Sequence, residues 1–257
     1  MVWATPFEEF RGKVVLVTGA STGIGAAVAK GFGACGARVI AHANASREAG
    51  AAVVAEIVAA GGEARLVQAD LSSAKAARKL IEEVLAAEGR IDVLINNAGT
   101  IVGRKRLTEV DDAFADYVMD LNFTSLYAAI RAVVPAMRRQ GGGVIVNTTS
   151  IAARMGGGPG TVSYGAAKGA VASLTRGVAR ELAVDHIRVN AVAPGLIDTP
   201  LHDKLTPPEV IEGMLPSVPM RRMGSPEECV GTYLFLASDR LSGYITGQIV
   251  EISGGMV

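Results

Sequence analysis

The chain is poor in the residues that build several common kinds of protein. It has only two cysteines, Cys35 and Cys229, and their wide separation fits neither a disulfide framework nor a zinc site. We expect both to be small core residues in a protein of a reducing, cytoplasmic compartment. No apolar run approaches the roughly 20 residues that span a bilayer, and no charged leader followed by an apolar stretch opens the chain.

Net charge is also lacking. The 25 Lys and Arg residues balance the 25 Asp and Glu residues, and no basic patch with interleaved aromatic residues is present. Neither nucleic acid nor an anionic membrane is therefore expected as a partner. With 49% hydrophobic and 19% charged residues, the chain can bury a large core, and we expect a single domain over residues 1–257.

Short apolar, β-branched stretches alternate with alanine-rich stretches along the chain. The first kind is typical of buried parallel strands and the second of helices. This alternation predicts an α/β fold, a Rossmann-type doubly wound parallel sheet of about seven strands with helices on both faces. The predicted strands are residues 14–17, 38–41, 64–67, 92–95, 144–147, 188–192 and 248–252, with helices over 26–33, 48–59, 74–87 and 166–184 among others. Residues 200–226, rich in proline, are expected to form a substrate loop and short helix over the site.

The first predicted strand ends in a glycine-rich turn, Thr18-Gly19-Ala20-Ser21-Thr22-Gly23-Ile24-Gly25, and an alanine-rich helix follows. Glycines permit a tight turn and a close approach of the backbone to a pyrophosphate, which the first N–H groups of the helix can bind. The spacing Gly-x-x-x-Gly-x-Gly differs from the common dinucleotide fingerprint Gly-x-Gly-x-x-Gly. Taken alone, the turn could equally be an ordinary connection between a strand and a helix.

Ser150, Tyr164 and Lys168 have the spacing of a site that moves a hydride and a proton together. Tyr164 and Lys168 are four residues apart, so on a helix their side chains lie on one face. A cation that lowers the tyrosine pKa from ~10 by ~3 units would supply roughly 4 kcal/mol and make Tyr164 a general acid or base. By itself, however, Tyr-x-x-x-Lys is also a common surface pair of a helix.

These motifs together resemble the short-chain dehydrogenase/reductase family. The likeness covers about residues 11–257, and it rests also on Asn96-Asn97-Ala98-Gly99 after one predicted strand and on Pro194-Gly195 after another. Within the family, the chain looks most like the 3-oxoacyl-[acyl-carrier-protein] reductases. The resemblance implies an oxidoreductase that transfers a hydride between a nicotinamide and a carbonyl or secondary alcohol.

The resemblance also implies roles for four candidate catalytic residues. Tyr164 would exchange a proton with the substrate oxygen, Ser150 would orient that oxygen, and Lys168 would lower the tyrosine pKa and hold the nicotinamide ribose. Asn122 would carry a water of the proton relay. Each has a structural alternative, such as a buried amide bonded to the backbone for Asn122 or a solvated helix charge for Lys168. The three histidines fall outside every motif and are expected to be ordinary surface or core residues: His42, His186 and His202.

The end of the second predicted strand bears on the choice of cofactor. A carboxylate there would bind the ribose 2′-hydroxyl of NAD. The chain has Asn44, Ser46 and Arg47 instead, which can donate to a 2′-phosphate, so NADP(H) is preferred and NAD(H) is the alternative. Arg47 could also be a solvated residue of a first helical turn, and Asp70, which matches the family's adenine contact, could be a helix cap. The predicted cofactor-binding residues are Gly19, Ser21, Thr22, Gly23, Ile24, Gly25, Asn44, Ser46, Arg47, Asp70, Leu71, Asn97, Ala98, Gly99, Tyr164, Lys168, Pro194, Gly195, Ile197 and Thr199.

The substrate is left open by the sequence. A 3-oxoacyl thioester, a small polar ketone, a sugar lactone and a ring ketone all fit, and an NAD-dependent sugar, polyol or other secondary-alcohol dehydrogenase is an alternative. A basic rim for an acyl carrier could come from Arg138, Arg139 and Arg180, but Gln140 stands where carrier-dependent relatives would be expected to have an arginine. A protein with a different class of function, a catalytically silent regulatory protein that binds the cofactor, could share the fold.

The apolar pattern of the C-terminal part of the chain indicates that the protein forms a homo-oligomer. The helix around 229–238 and the last strand, 248–252, offer more apolar surface than one sheet edge can bury, and an exposed edge strand is usually covered or paired. Two-fold pairing of this edge and of long helices over 111–139 and 166–184 would cover it. The family resemblance points to a homotetramer, with a dimer as the alternative.

Overall fold

The structure, a computed structural model, describes residues 7–257 apart from the side chains of residues 202–204. The expectations for His202 and for the first residues of the chain lie outside this part. Seven parallel strands form one sheet in the order β3-β2-β1-β4-β5-β6-β7. They are β1 (Val14–Val17), β2 (Arg38–Ala43), β3 (Glu63–Gln68), β4 (Val93–Asn96), β5 (Gly143–Thr148), β6 (Ile187–Pro194) and β7 (Ile249–Ile252). The predicted fold class is confirmed. Each predicted strand begins and ends within two residues of the bounds of the corresponding observed strand.

Eleven α-helices connect or cover the strands within the described residues. They are α1 (Gly23–Ala34), α2 (Arg47–Ala59), α3 (Ala74–Glu88), α4 (Asp112–Met119), α5 (Ser125–Arg139), α6 (Ala152–Met155), α7 (Val162–Leu182), α8 (Pro200–Leu205), α9 (Pro208–Met214), α10 (Pro226–Ala237) and α11 (Asp239–Ser242). A π-helical turn, Asp120–Thr124, joins α4 to α5, and 3₁₀ turns cover Glu8–Phe10, Leu107–Glu109, Ala183–Asp185 and Leu215–Ser217.

The sheet is apolar on both faces because helices cover both. Along β1 all four residues are buried, and successive side chains point to opposite faces. Val15 and Val17 therefore join the core under α1 and α10, whereas Val14 and Leu16 join the core under α3 and α5. A strand buried on both faces has no polar side to mark it, which explains why these strands are continuous apolar runs in the sequence.

The strand order places the carboxyl ends of β1 and β4 side by side. The chain runs outward from β1 through β2 to β3, and then crosses back to β4 on the other side of β1. In open α/β sheets, ligands bind in the crevice at this reversal. The glycine turn after β1, Asn97 after β4, Ser150 after β5 and Pro194 at the end of β6 all lie at this edge.

Two predictions about helices need correction. Helix α7 begins at Val162, four residues before the predicted start, because the chain folds into the helix directly after the glycine-rich segment 156–160. The region 200–226 holds two short α-helices and a 3₁₀ turn, where a loop with one short helix was predicted. Prolines at the first turns of α8 and α9 are compatible with a helix start, so they separate the helices and do not prevent them.

The cysteines have unequal environments. Cys229 is fully buried in α10, as predicted for a core residue, but Cys35 is partly exposed because it lies just beyond the last residue of α1. Within residues 7–257, no helix is both long and apolar enough to cross a membrane.

Candidate active site

A cavity of about 610 Å³ opens at the carboxyl edge of the sheet. It is lined by the glycine turn, by the segments that follow β2, β4, β5 and β6, and by α7 to α9. A concave site of this size, bounded by several loops at a sheet reversal, is typical of a small-molecule site. Most of the predicted cofactor residues line it: Gly19, Ser21, Thr22, Gly23, Ile24, Gly25, Asn44, Ser46, Leu71, Asn97, Ala98, Gly99, Tyr164, Lys168, Pro194, Gly195, Ile197 and Thr199.

The glycine turn is packed so closely that its glycines cannot be replaced freely. Gly19 has a φ of +66°, in the left-handed region that favours glycine. A Cβ added to Gly25 would lie 2.2 Å from the carbonyl oxygen of Gly19 and 2.4 Å from Nδ2 of Asn97. Asn97 in turn donates from Nδ2 to the carbonyl oxygens of Thr18, at 3.0 Å, and Gly19, at 3.1 Å. The turn therefore presents backbone to the cavity where a bulky phosphate can approach.

His42 also holds the glycine turn, which the sequence motifs did not indicate. The residue is 1% exposed on β2, its Nδ1 accepts from the backbone N–H of Gly19 at 3.1 Å, and its Nε2 lies 3.0 Å from the carbonyl oxygen of Ala69. An Nδ1 that accepts is unprotonated, so Nε2 carries the hydrogen. Burial lowers the pKa of His42, which keeps this neutral form. The pairing of Val17 with Ala41 is the signal that places the next residue of β2 beside the turn.

Ser150, Tyr164 and Lys168 come together at the end of β5 and the start of α7. Lys168 is 3% exposed, its Nζ donates to the carbonyl oxygen of Thr148 at 2.9 Å, and Nζ lies 5.6 Å from the centre of the Tyr164 ring. Thr149 Oγ1 donates to the carbonyl oxygen of Lys168 at 2.7 Å. The Ser150 hydroxyl accepts from the backbone N–H of Ala152 at 3.1 Å and donates to the carbonyl oxygen of Pro194 at 3.5 Å, and its interaction with Tyr164 lowers the tyrosine pKa. The alternative that Lys168 is a solvated helix charge is therefore wrong.

The electrostatics of this group differ from the prediction. Burial raises the pKa of Tyr164 to about 12, and the hydrogen bond from Ser150 only partly opposes that effect. Burial also lowers the pKa of Lys168 to about 8. The expected lowering of the tyrosine pKa by the lysine is therefore not found, because desolvation of the phenolate dominates. In this structure Tyr164 is a neutral phenol at neutral pH.

Asn122 lies beside Lys168 but is bonded to the backbone. It is fully buried in the π-helical turn, its Oδ1 accepts from the backbone N–H of Thr100 at 3.0 Å, and its Nδ2 donates to the carbonyl oxygens of Thr100, at 3.0 Å, and Val118, at 2.9 Å. A Cβ added to Gly99 would lie 2.7 Å from Asn122 Oδ1 and 3.1 Å from Lys168 Nζ. The side chain thus fixes the loop after β4, and Asn122 is not among the residues that line the cavity.

Two residues predicted to contact the cofactor lie outside the lining. Arg47 is an exposed residue at the first position of α2. Asp70 Oδ1 accepts from the backbone N–H of Ser72 at 3.0 Å and from Asn44 Nδ2 at 3.4 Å, so it shapes the turn after β3. Arg47 thus takes its structural alternative as a first-turn residue, whereas Asp70 is not a helix cap, because Ser73 caps α3. The end of the cavity near β2 is formed by Asn44, Ala45 and Ser46.

The rear wall of the site contains a buried hydroxyl pair that the sequence did not reveal. Oγ1 of Thr148 lies 2.7 Å from the hydroxyl of Tyr233, a fully buried residue of α10. Because the carbonyl oxygen of Thr148 accepts from Lys168 Nζ, Tyr233 supports the residue that positions the lysine. The two partners are 85 residues apart in sequence, so no local pattern could pair them.

Sequence and structure comparisons agree with this geometry. A family model described as enoyl-(acyl carrier protein) reductase matches residues 19–257. The 3-oxoacyl-[acyl-carrier-protein] reductase of Synechocystis sp. is 44% identical over 249 residues, which cover 95% of this chain and 97% of that protein.

Two solved structures share the fold over nearly the whole chain. The NADH-dependent reductase A1-R′ responsible for alginate metabolism has a TM-score of 0.89 at 35% identity and covers 97% of this chain and 99% of its own. A 3-oxoacyl (acyl-carrier-protein) reductase from Agrobacterium tumefaciens C58 with NADP bound has a TM-score of 0.89 at 33% identity, and the match covers 98% of this chain and 97% of that chain.

The parallel sheet and the cavity at its reversal define a Rossmann-type fold with a ligand site at its switch point. The chain belongs to the short-chain dehydrogenase/reductase family. The alternative of a catalytically silent binding protein is accordingly not supported.

Proposed function

We propose that the protein is an NADP(H)-dependent carbonyl reductase in which Tyr164 gives a proton to the substrate oxygen. The observation that carries this proposal is the convergence of Ser150, Tyr164 and Lys168 on a cavity whose other end is the glycine turn. The cofactor, when bound, would supply the hydride, and the protein would supply position and the proton.

The residues at the glycine-turn end fit a dinucleotide. A side chain at Gly25 would fill the space against Gly19, so this wall is kept open for a close backbone approach, and the N–H groups at the start of α1 are available to a pyrophosphate. Among the described residues, no carboxylate lines the cavity near Asn44 and Ser46, and the one carboxylate that contacts Asn44, that of Asp70, lies outside the lining and accepts from Asn44 Nδ2. This favours NADP(H). NAD(H) is the alternative, since one structural neighbour is an NADH-dependent reductase.

Tyr164 is in the protonation state that a proton donor in carbonyl reduction requires. A tyrosine whose pKa is raised to about 12 keeps its proton at neutral pH, which suits a donor and not a base. As the proton leaves, the Ser150 hydroxyl and the ammonium of Lys168 are the groups placed to stabilise the phenolate. Lys168, with a pKa of about 8, is mostly charged at pH 7.

A 3-oxoacyl thioester is the first candidate for the substrate, since relatives at 40–44% identity carry that name. Docking of an acyl carrier has less support. Gln140 donates to the carbonyl oxygens of Ile91, at 2.8 Å, and Gly142, at 3.0 Å, so it closes a turn, and Arg138 is paired with Asp185 at 2.8 Å. The proposal therefore extends to free thioesters and other small ketones.

The test is oxidation of NADPH and NADH over a panel of 3-oxoacyl thioesters, polar ketones, ring ketones and sugar lactones. We expect NADPH to be preferred and Tyr164→Phe to lower kcat by about 10²–10⁴-fold while the Kd for NADPH changes less than about twofold. If Tyr164→Phe kept a tenth of the activity, a loss of only ~1.4 kcal/mol in the barrier, another residue would be the acid.

We also propose that the protein assembles as a homotetramer, as the family resemblance implies. Tyr117 of α4 and Tyr127 of α5 are 45% and 39% exposed, and all four residues of the edge strand β7 are partly exposed. Pairing would cover both surfaces. Light scattering should give four times the 26.5 kDa chain mass, and removal of the last ten residues should weaken the assembly. A mass of one chain at micromolar concentration would refute this proposal.

A further inference from the structure

Arg104 joins three segments at the end of the cavity away from the glycine turn. It lies in the loop after β4, and its side chain reaches the segments on both sides. Nε donates to the carbonyl oxygen of Leu205 at 3.1 Å, Nη1 to the carbonyl oxygen of Pro159 at 3.0 Å, and Nη2 to Oγ1 of Thr206 at 3.2 Å. The guanidinium is half-buried and lines the cavity.

The charge of Arg104 is not balanced inside the site. All three acceptors are uncharged, and within the described part of the chain no carboxylate pairs with it or lines the cavity. The neighbouring Lys105, by contrast, is paired with Asp111 at 2.9 Å. Burial lowers the pKa of Arg104, which marks the cost of holding this cation away from water. The three hydrogen bonds give Arg104 a structural role, but they leave its charge unbalanced.

The remaining donors of Arg104 suit an oxyanion. A guanidinium has five N–H groups, and three of them are used by the contacts above. Among the residues that the structure describes, one N–H on each terminal nitrogen has no protein acceptor, and two such groups can bind the two oxygens of a carboxylate or phosphate. The lining of the same cavity also includes the apolar side chains of Met155, Val210 and Met214.

We propose that Arg104 binds an anionic oxygen group of the substrate, a carboxylate or a phosphate, at the end of the cavity opposite the glycine turn. The inference rests on the proposed function and adds a substrate class to it. A carboxylate would come from a small oxo acid, and a phosphate from the phosphopantetheine arm of a thioester. In both cases the anion anchors the substrate while its carbonyl group lies near Tyr164.

The test compares matched charged and neutral substrates. Pyruvate, acetoacetate and levulinate are each assayed against their methyl esters with saturating NADPH, and acetoacetyl phosphopantetheine is assayed against acetoacetyl pantetheine. We expect at least one charged member to exceed its neutral partner about tenfold or more in kcat/KM, as for hydrogen bonds to a charged group. A preference in the acid pairs identifies a carboxylate, and a preference in the thioester pair identifies a phosphate.

Variants separate anion binding from a purely structural contact. Arg104→Gln should lower kcat/KM for the charged member about tenfold more than for the neutral member, Arg104→Lys should retain part of the preference, and Arg106→Gln, in the same loop but outside the lining, should retain all of it. An equal loss on both members would mean that Arg104 only holds the segments together. Equal rates on all pairs in the wild type would also overturn the proposal.

A binding measurement keeps this inference distinct from the proposed function. If no carbonyl compound is reduced, the proposed function fails, but ligand-observed NMR of levulinate and methyl levulinate still decides the role of Arg104. Binding of levulinate that is lost in Arg104→Gln supports the inference, and equal binding of acid and ester contradicts it. The Kd for NADPH should be the same in wild type and Arg104→Gln, since a change would place the anion on the cofactor.

Discussion

The glycine-turn end of the cavity is built from backbone atoms of regular elements, whereas the end near Arg104 is built from side chains of loops and short helices. A Cβ at Gly25 would meet a backbone oxygen at 2.2 Å, but a Cβ at Gly158, which lines the opposite end, would meet nothing within 4 Å. Asn97 and His42 hold the first end through bonds to backbone. Arg104 holds the second by the same kind of bond, from its side chain to the carbonyl oxygens of Leu205 and Pro159, so the two ends differ in how closely their backbones pack.

This difference teaches how one fold serves different substrates. Where backbone packs on backbone, few substitutions are tolerated, so the glycine-turn end can hardly diverge while it binds the same ligand. Where side chains from loops bound the space, a single substitution changes the shape or charge without disturbing the sheet. Residues such as Arg104 and Met155 are therefore expected to determine which substrate binds. The glycine turn is instead expected to be common to the family.

The largest effect is expected at Lys168, where the two ends meet. Its pKa of about 8 in the folded protein lies below the unfolded value near ~10.4, so the buried charge lowers stability fully below pH 8, and the stability recovers as pH rises to ~10.4. Lys168→Met should raise the free energy of unfolding at pH 7 by up to roughly 3 kcal/mol, less the lost bond to Thr148, while it abolishes activity. Urea unfolding at pH 7, 9 and 10 should show that the difference in the free energy of unfolding between the variant and the wild type decreases as the pH rises. A variant less stable than wild type at pH 7 would contradict the argument.

A pair of glycine substitutions tests the comparison directly. Gly25→Ala should lower NADPH affinity at least about tenfold and destabilise the fold by about 1–3 kcal/mol, because the added methyl group overlaps the Gly19 carbonyl. Gly158→Ala is the matched change at the opposite end and should leave the Kd for NADPH unchanged. Calorimetric titration and thermal unfolding of both variants give the result. If both substitutions lower NADPH affinity and the free energy of unfolding by the same amounts, the two ends do not differ in rigidity.

The sequence was sufficient for the parts of the molecule that repeat a local pattern. The buried runs of β1 and β6 and the alanine-rich helices predicted the sheet, and the glycine turn with Tyr164 and Lys168 predicted where the site lies. Single-domain organisation and the catalytic roles remain predictions, since a static structure places side chains without testing what they do.

The sequence was insufficient where a contact joins distant segments. His42 reaches the glycine turn from the neighbouring strand, and Arg104 meets Leu205 from 101 residues away. The tyrosine pKa also could not be derived from spacing, because the spacing shows the nearby cation but not the depth of burial, and burial dominates. Arg47 has the chemistry of a phosphate ligand, yet its place on α2 points it outside the lining.

A smaller effect is expected at the rear wall, which supports both ends. Tyr233→Phe leaves Oγ1 of Thr148 buried without its partner, so it should lower the free energy of unfolding by about 1–3 kcal/mol and reduce kcat through the displaced Lys168. Adding Thr148→Val removes both polar groups and should recover much of that stability. A double-mutant cycle from urea unfolding measures the coupling. Strictly additive effects would show that the pair does not interact.

The smallest effect is expected at Arg47, at the outer edge of the glycine-turn end. As an exposed residue outside the lining, it can attract a 2′-phosphate only through solvent, and exposed charge pairs contribute about 0.2–1 kcal/mol. Arg47→Ala should therefore narrow the preference for NADPH over NADH by no more than about fivefold, with the difference disappearing in high salt. Ser46→Ala, which alters the lining itself, is the comparison variant. Fluorescence titration of the wild type and both variants with NADPH and NADH gives the six dissociation constants. Tighter binding of NADH by the wild type would refute the NADP preference, and a much larger loss in Arg47→Ala would show that α2 moves toward the cavity when the cofactor binds.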